Sequence, residues 1–255
     1  MKTLIKTSIS SATLLLALTG FIAIPNTAYA QSSPINISAS LDYASEYVFR
    51  GVSFSNTAVQ PGLSVSAGNF TVGVWGSVAV GETSALAGDE IDIYGSYSWS
   101  LSDKITASVG ATIYHFPQSG DLFDFDSTTL ASTIEGSFGL SVNTVLSPNV
   151  TAYYDATLDA FTLTGSVSQS YPIANKTTLN VGVTGGLVAA GNGNTDYEWA
   201  TANANLNYAV TGKSSIYAGV NFTVNSEDFL DFPTFNDQTP SDNLFWAGVG
   251  FSTGF

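Results

Sequence analysis

The chain has no cysteine, one methionine and one histidine, and its 255 residues hold only six lysines and arginines against twenty aspartates and glutamates. Without cysteine there is no disulfide scaffold and no lipid-modified N-terminal thiol, so stability has to come from hydrogen bonding and packing. The shortage of positive charge argues against nucleic acid as a partner, because that binding depends on lysine and arginine against the phosphates. After residue 30 no apolar run is long enough for a transmembrane helix. Nor is there a phosphate-binding glycine loop, a redox-cofactor motif or a Cys/His metal cluster, so no cofactor is expected.

The N-terminus carries an address. Lys2 and Lys6 precede an apolar stretch from Ala12 to Ile24, and Ala28-Tyr29-Ala30 stands before Gln31. This is the layout of a cleaved secretory signal peptide, 1–30, which leaves a single domain, 31–255. Losing Lys2 and Lys6 takes the formal net charge from −14 to −16.

Within that domain the apolar side chains alternate almost without a break. The closing segment shows it most plainly: Phe245, Ala247, Val249, Phe251 and Phe255 share one face, Gly248, Gly250, Ser252 and Gly254 the other. A strand sends successive side chains to opposite faces, so this one is apolar on one side and small or polar on the other. The same split recurs over 37–49, 58–67, 70–80, 91–101, 105–113, 130–142, 150–158, 161–171, 179–189, 200–210 and 216–224. With the last segment this makes about twelve strands, an even number, and predicts an all-β, transmembrane antiparallel barrel with lipid outside and a polar lumen. Connections alternate between short turns, such as 68–69, 102–103 and 211–213, and longer ones, such as 51–57, 116–127 and 226–242, with 157–160 as the one exception, a tight outer hairpin. Outer-membrane barrels sort their periplasmic turns and outer loops in this way. Aromatics on the apolar face gather near strand ends: Tyr47, Phe49 and Phe245 toward the outer rim, Trp99, Tyr171, Tyr208 and Phe255 toward the inner one. Pro61 is the awkward residue, because proline cannot donate to a ladder, and a bulge or a frayed pair near the outer rim is expected there.

Charge divides by side. The outer connections carry acids and no lysine or arginine, with Asp121, Asp124, Asp126, Glu227, Asp228 and Asp231 as the main outer-mouth candidates, while Lys104, Lys176 and Lys213 fall in or beside periplasmic turns. Such a mouth would concentrate cations and repel anions. Asp121, Asp124 and Asp126 are also a calcium alternative, although their spacing is not that of an EF-hand. Parity points Asp42, Glu46, Arg50, Asp92, Glu135 and Asp155 into the lumen, as candidates for a structural ion pair or a selectivity constriction. Arg50, the only arginine after the signal segment, needs a carboxylate, with Glu46 or Asp42 along the strand and others across the barrel. Asn180, Asn203, Asn205, Asn207, Asn221 and Asn225 line the same face, where mutual satisfaction of the amides is expected before any grip on sugar hydroxyls. Trp75, Tyr94, Tyr114, Tyr153 and Trp246 point inward too, which implies a narrow or partly plugged lumen. His115 falls on the apolar face at the outer rim, as a girdle residue.

Tyr47-Val-Phe-Arg50-Gly-Val-Ser53, Val59-Gln60, Gly73-Val-Trp75-Gly-Ser77, Glu90-Ile-Asp92-Ile-Tyr94 and Tyr114-His-Phe-Pro117 together resemble the TorF family of proteobacterial porins, with Pro61 where that pattern has Gly. The resemblance implies an outer-membrane barrel and a transport role, and it supplies no substrate. The expectation is therefore a channel for small solutes, favouring cations, in contact with outer-membrane lipid and the barrel-assembly machinery. The alternatives are a lipid hydrolase, which would have to use His115, and a non-conducting structural or adhesive barrel.

Overall fold

The computed structural model describes residues 35–80, 88–191, 195–227 and 242–255. The signal segment and the outer-loop candidates Asp228 and Asp231 lie outside these residues.

The alternation becomes fourteen strands in chain order: β1 (Asn36–Ala44), β2 (Tyr47–Phe49), β3 (Val52–Ser55), β4 (Ala58–Ala67), β5 (Phe70–Ala79), β6 (Glu90–Ser100), β7 (Ile105–His115), β8 (Ser132–Val142), β9 (Asn149–Asp155), β10 (Ala160–Ala174), β11 (Thr177–Ala189), β12 (Tyr197–Ala209), β13 (Ser214–Asn225) and β14 (Asn243–Gly254). Twelve of them, β1 and β4 to β14, close into one antiparallel barrel, and β2 with β3 makes a separate hairpin. Closure comes from β1 meeting β14, with Ser38 opposite Gly254 and Ala44 opposite Gly248. Each barrel strand then has a partner on both sides, which is the condition for backbone in a lipid environment.

Residues on the outer face are the large apolar ones, and they are uncovered: Val72, Val183 and Val249 are half exposed, and so are Leu41 and Phe70. The buried positions are occupied by Ser77, Thr112, Thr164, Asn205 and Ser252. A soluble fold has the opposite arrangement; a continuous apolar exterior around a polar interior is what a bilayer covers. The start of β1 and the end of β14 lie at the end that holds the turns 68–69, 101–104, 143–148, 175–176 and 210–213, and the other connections lie at the opposite end, the tight turn 156–159 among them.

The backbone corrects one expectation and decides another. The first strand does not run to Phe49. It ends at Ala44, and the chain then turns inward, so Tyr47 (4% exposed) and Phe49 are lumen residues and not girdle residues, and 51–57 is no outer loop. The driving force is burial: Tyr47 and Phe49 find the wall rings of Trp75 and Tyr114 inside the barrel, which lipid would not offer. At Pro61 the backbone takes the frayed pair and not the bulge. Val59 pairs with Val78 and Gly62 with Trp75 in one unbroken register, and only the rungs between them are missing. Pro61 lies on the outer face opposite Leu41 of β1, and across the gap stands Gly76, whose missing side chain leaves room for the ring.

Orientation of the faces is open to a direct check. Val183, central on β11 and half exposed, should lose about 2–4 kcal/mol of folding stability on substitution by Lys, because the charge would sit at bilayer depth. Ser168, which faces the lumen one strand away, should tolerate the same change far better. Urea titration of the refolded barrel in lipid distinguishes the two.

Candidate functional site

The hairpin is built by two residues with positive φ. Arg50 (φ 50°) and Gly51 (φ 79°) join Phe49 to Val52, the pattern of a two-residue type I′ turn, whose twist matches that of the strands it links. Gly51 is required twice over. Its φ suits glycine, and a Cβ there would stand 2.5 Å from the Cβ of Trp199.

Aromatic contacts hold the hairpin in the lumen. Tyr47 packs on Trp75 and on Phe54, with ring centroids 5.6 Å and 5.5 Å away, and Phe49 packs on Tyr114 at 5.8 Å. Val48 is fully buried against Trp246, with Leu244 beside it. Polar groups fix the position. The Tyr47 hydroxyl lies 3.1 Å from both carboxylate oxygens of Glu90, the Asn225 amide donates to the Gly51 carbonyl at 2.8 Å, and Ser53 donates to Glu46.

Arg50 carries the guanidinium across to the far wall. Its Nη1 and Nη2 donate to Glu135 Oε2 and Oε1 at 2.7 and 2.8 Å, a two-pronged ion pair, and Nη1 reaches Thr162 Oγ1 at 3.3 Å. The Tyr153 ring lies 4.4 Å from the guanidinium carbon and the Phe49 ring 4.7 Å from it. Glu135 is steadied by the Tyr114 hydroxyl at 3.0 Å. A buried ion pair contributes little net stability, since desolvation offsets attraction; the ring contacts, each worth about 0.5–1.5 kcal/mol, supply more. The pair's effect is to fix where the hairpin tip goes.

Of the six lumen candidates, Glu135 is Arg50's partner, and the nearer choices Glu46 and Asp42 are not. Asp42 lies by Gln60 and shares the space over Gly250 with the Tyr217 ring. Asp155 stands directly opposite Glu135 in the β8–β9 register, and uses one oxygen to accept from the backbone of Thr157 and Leu158, both at 2.8 Å. Asp92 is opposite Tyr114 and has one carboxylate oxygen without a bond. Glu90, 3% exposed, is a lumen acid that the sequence reading leaves to the edge of a loop. The signal was present, because Glu90 shares parity with Asp92 on one strand. These acids all stand toward the loop end, around the hairpin.

Toward the turn end the lumen carries small polar groups. Tyr94 lies flat over Gly73, where a Cβ would meet its ring at 2.5 Å, and Asn205 lies in the same way over Gly219. Glycine on one strand thus lets a neighbour's side chain lie along the wall instead of across the lumen. The asparagines do not satisfy one another as expected. Asn180 and Asn205 face each other in register, yet Oδ1 of each has no protein partner, nor has Nδ2 of Asn221. Register spacing and the flat lie over glycine direct these amides past each other.

At the loop end, Asp121, Asp124 and Asp126 do not converge on a cation position. Asp126 accepts from the Thr128 amide and hydroxyl at 2.8 and 2.7 Å, which holds its carboxyl below the usual range, and Asp124 accepts from the Thr129 hydroxyl. Among the described residues no group of three potential ligands is placed for a metal. Glu227 donates its backbone N–H to Asn225 Oδ1 and its side chain is exposed. His115 is buried at 7% exposure beneath the 116–131 connection and is not a girdle residue. Its Nδ1 lies 2.9 Å from the Ala131 carbonyl and 3.0 Å from Ser132 Oγ, which is itself fully buried, so the ring is tied to the end of that connection.

A family model described as "Bacterial protein of unknown function" (Gcw_chp) matches residues 28–209. No curated protein matches the sequence. Among solved structures the barrel is similar to the NanC porin, with a TM-score of 0.53 at 14% identity over 85% of this chain and 98% of that one. It is also similar to the KdgM porin, with a TM-score of 0.52 at 13% identity over 86% and 99% of the two chains. A KdgM complex with disordered oligogalacturonate gives 0.51 at 14% identity over the same shares. At such identities the likeness is one of fold.

Removing one half of the ion pair should be worse than removing both. Glu135→Gln leaves a buried guanidinium uncompensated and should destabilise the barrel by about 3–5 kcal/mol in urea titration, whereas Arg50→Met with Glu135→Leu should recover most of the loss. Equal losses in the single and double variants would contradict the assignment.

Proposed function

Because the chain belongs to the Gcw_chp family, whose description assigns no activity, we propose from the chemistry of the barrel that it is an outer-membrane, porin-like channel for small solutes that favours cations. On this reading it is a porin of the TorF type whose motifs it resembles, exported by its signal segment and inserted by the barrel-assembly machinery. The turn end faces the periplasm and the loop end faces outward.

The observation that carries this is the charge of the lumen. Asp42, Glu90, Asp92, Glu135 and Asp155 project inward from the wall, and the guanidinium of Arg50 is the one cation set against them among the described residues. In a narrow, low-dielectric passage such a ring favours cations and opposes anions. Oligogalacturonate, the ligand in the KdgM complex, is a polyanion, and this wall would repel it. The exposed acids at the loop end act in the same sense from outside, over the roughly 8 Å that physiological salt permits.

The hairpin fills the outer half of the lumen, so passage depends on how far it yields. In a planar bilayer under a KCl gradient, the refolded barrel should give a reversal potential on the potassium side. Glu90→Gln with Asp92→Asn should move that potential toward zero. A chloride-favouring reversal, or silence from inserted protein, would count against the channel reading.

A further inference from the structure

The hairpin is outside the barrel's hydrogen-bonded ladder. It therefore presents its guanidinium to the wall much as a separate molecule would, and the wall's share of the contact is complete without it. Glu135 supplies both oxygens, Thr162 a hydroxyl and Tyr153 a flat face, and Tyr114 holds Glu135 in place from the same wall. The geometry selects the ligand: two parallel N–H···O bonds at 2.7 and 2.8 Å with a ring 4.4 Å away match a planar fork, whereas an ammonium would act as a point charge and leave part of the carboxylate unmatched. The charge balance points the same way. Asp155 stands opposite Glu135 in register, and Asp92 keeps one oxygen unbonded, so the wall has more negative charge than Arg50 neutralises. Arg50 also occupies a left-handed turn position at φ 50°, which ordinarily goes to Asn or Gly. That position is what brings the guanidinium to the wall.

We infer that the pocket of Glu135, Thr162 and Tyr153 is a binding site for small guanidinium-bearing cations, and that Arg50 is a tethered stand-in which fills it while the hairpin is docked. A free guanidinium solute competes with Arg50 for the same carboxylate. Its entry removes the hairpin's anchor, so recognition of the solute and clearance of the lumen are one event. The role in passage rests on the channel reading above, but the binding site itself does not.

The test is rescue of an emptied site. Arg50→Ala removes the tethered group, and the refolded variant is titrated with guanidinium chloride up to about 10 mM, where denaturation is negligible, with KCl as the control. The melting temperature of the variant should rise by about 3 °C at tenfold excess over the dissociation constant, while KCl leaves it unchanged and the wild type, in which the solute must displace Arg50, responds less. Adding Glu135→Gln should abolish the rise. If Arg50→Ala does not refold, Arg50→Asn, whose short side chain suits the left-handed turn position and leaves the site empty, replaces it with the same expectation. A flat titration of folded variant, or a rise that survives Glu135→Gln, overturns the site. Because no current is measured, a barrel that is electrically silent yet shows the rise would overturn the channel reading alone, and a conducting barrel with a flat titration would overturn the site alone.

Discussion

In hydrocarbon every backbone N–H and C=O has to be paired within the protein, and this constraint orders the rest of the molecule. It requires the sheet to close, and the β1–β14 ladder closes it. Closure then divides each strand between two solvents, which is why large apolar residues lie outside and serine, threonine, asparagine and glycine inside. With its core turned inside out, the barrel has no apolar interior to drive collapse, so cohesion rests on the ladder and on polar contacts across the wall.

The hairpin is the exception that gives the interior a small apolar core. Val48 against Trp246, and Tyr47 and Phe49 against Trp75 and Tyr114, form a packed cluster in the half of the lumen nearest the loop end. The acids stand around this cluster and Arg50 reaches through it. Packing therefore supplies affinity of the hairpin for the lumen, and the guanidinium supplies its register. A segment held mainly by side chains, with few backbone rungs, is a part that can leave without opening the barrel.

Much of this was legible in the sequence because period-two alternation is strong when both faces are continuous. The strand number, the closing C-terminal strand, the inward set of Trp75, Tyr94, Tyr114, Tyr153 and Trp246, and the division of acids from lysines could be read from the residues. The hairpin was not read, because Tyr47 and Phe49 keep the parity of Tyr43 and so look lipid-facing. The sign of a turn lay in Arg50-Gly51 between Tyr47-Val-Phe49 and Val52-Ser-Phe54, two short alternating runs with a glycine at the second turn position. Arg50's partner was beyond reach for a different reason. Glu135 is 85 residues away, and choosing it from among several lumen acids needs the barrel's curvature as well as its parity. His115 misled because parity gives a face and says nothing of a connection folding down over it.

The central claim is that the β2–β3 hairpin, and not the barrel wall, sets the size of the passage. Single-channel conductance of the native barrel should be compared with that of a variant in which residues 46–56 are replaced by a short Gly-Ser linker from β1 to β4. A several-fold larger conductance in the variant, with its preference for potassium retained, is the result this account predicts. Equal conductance from two folded, inserted barrels would contradict it.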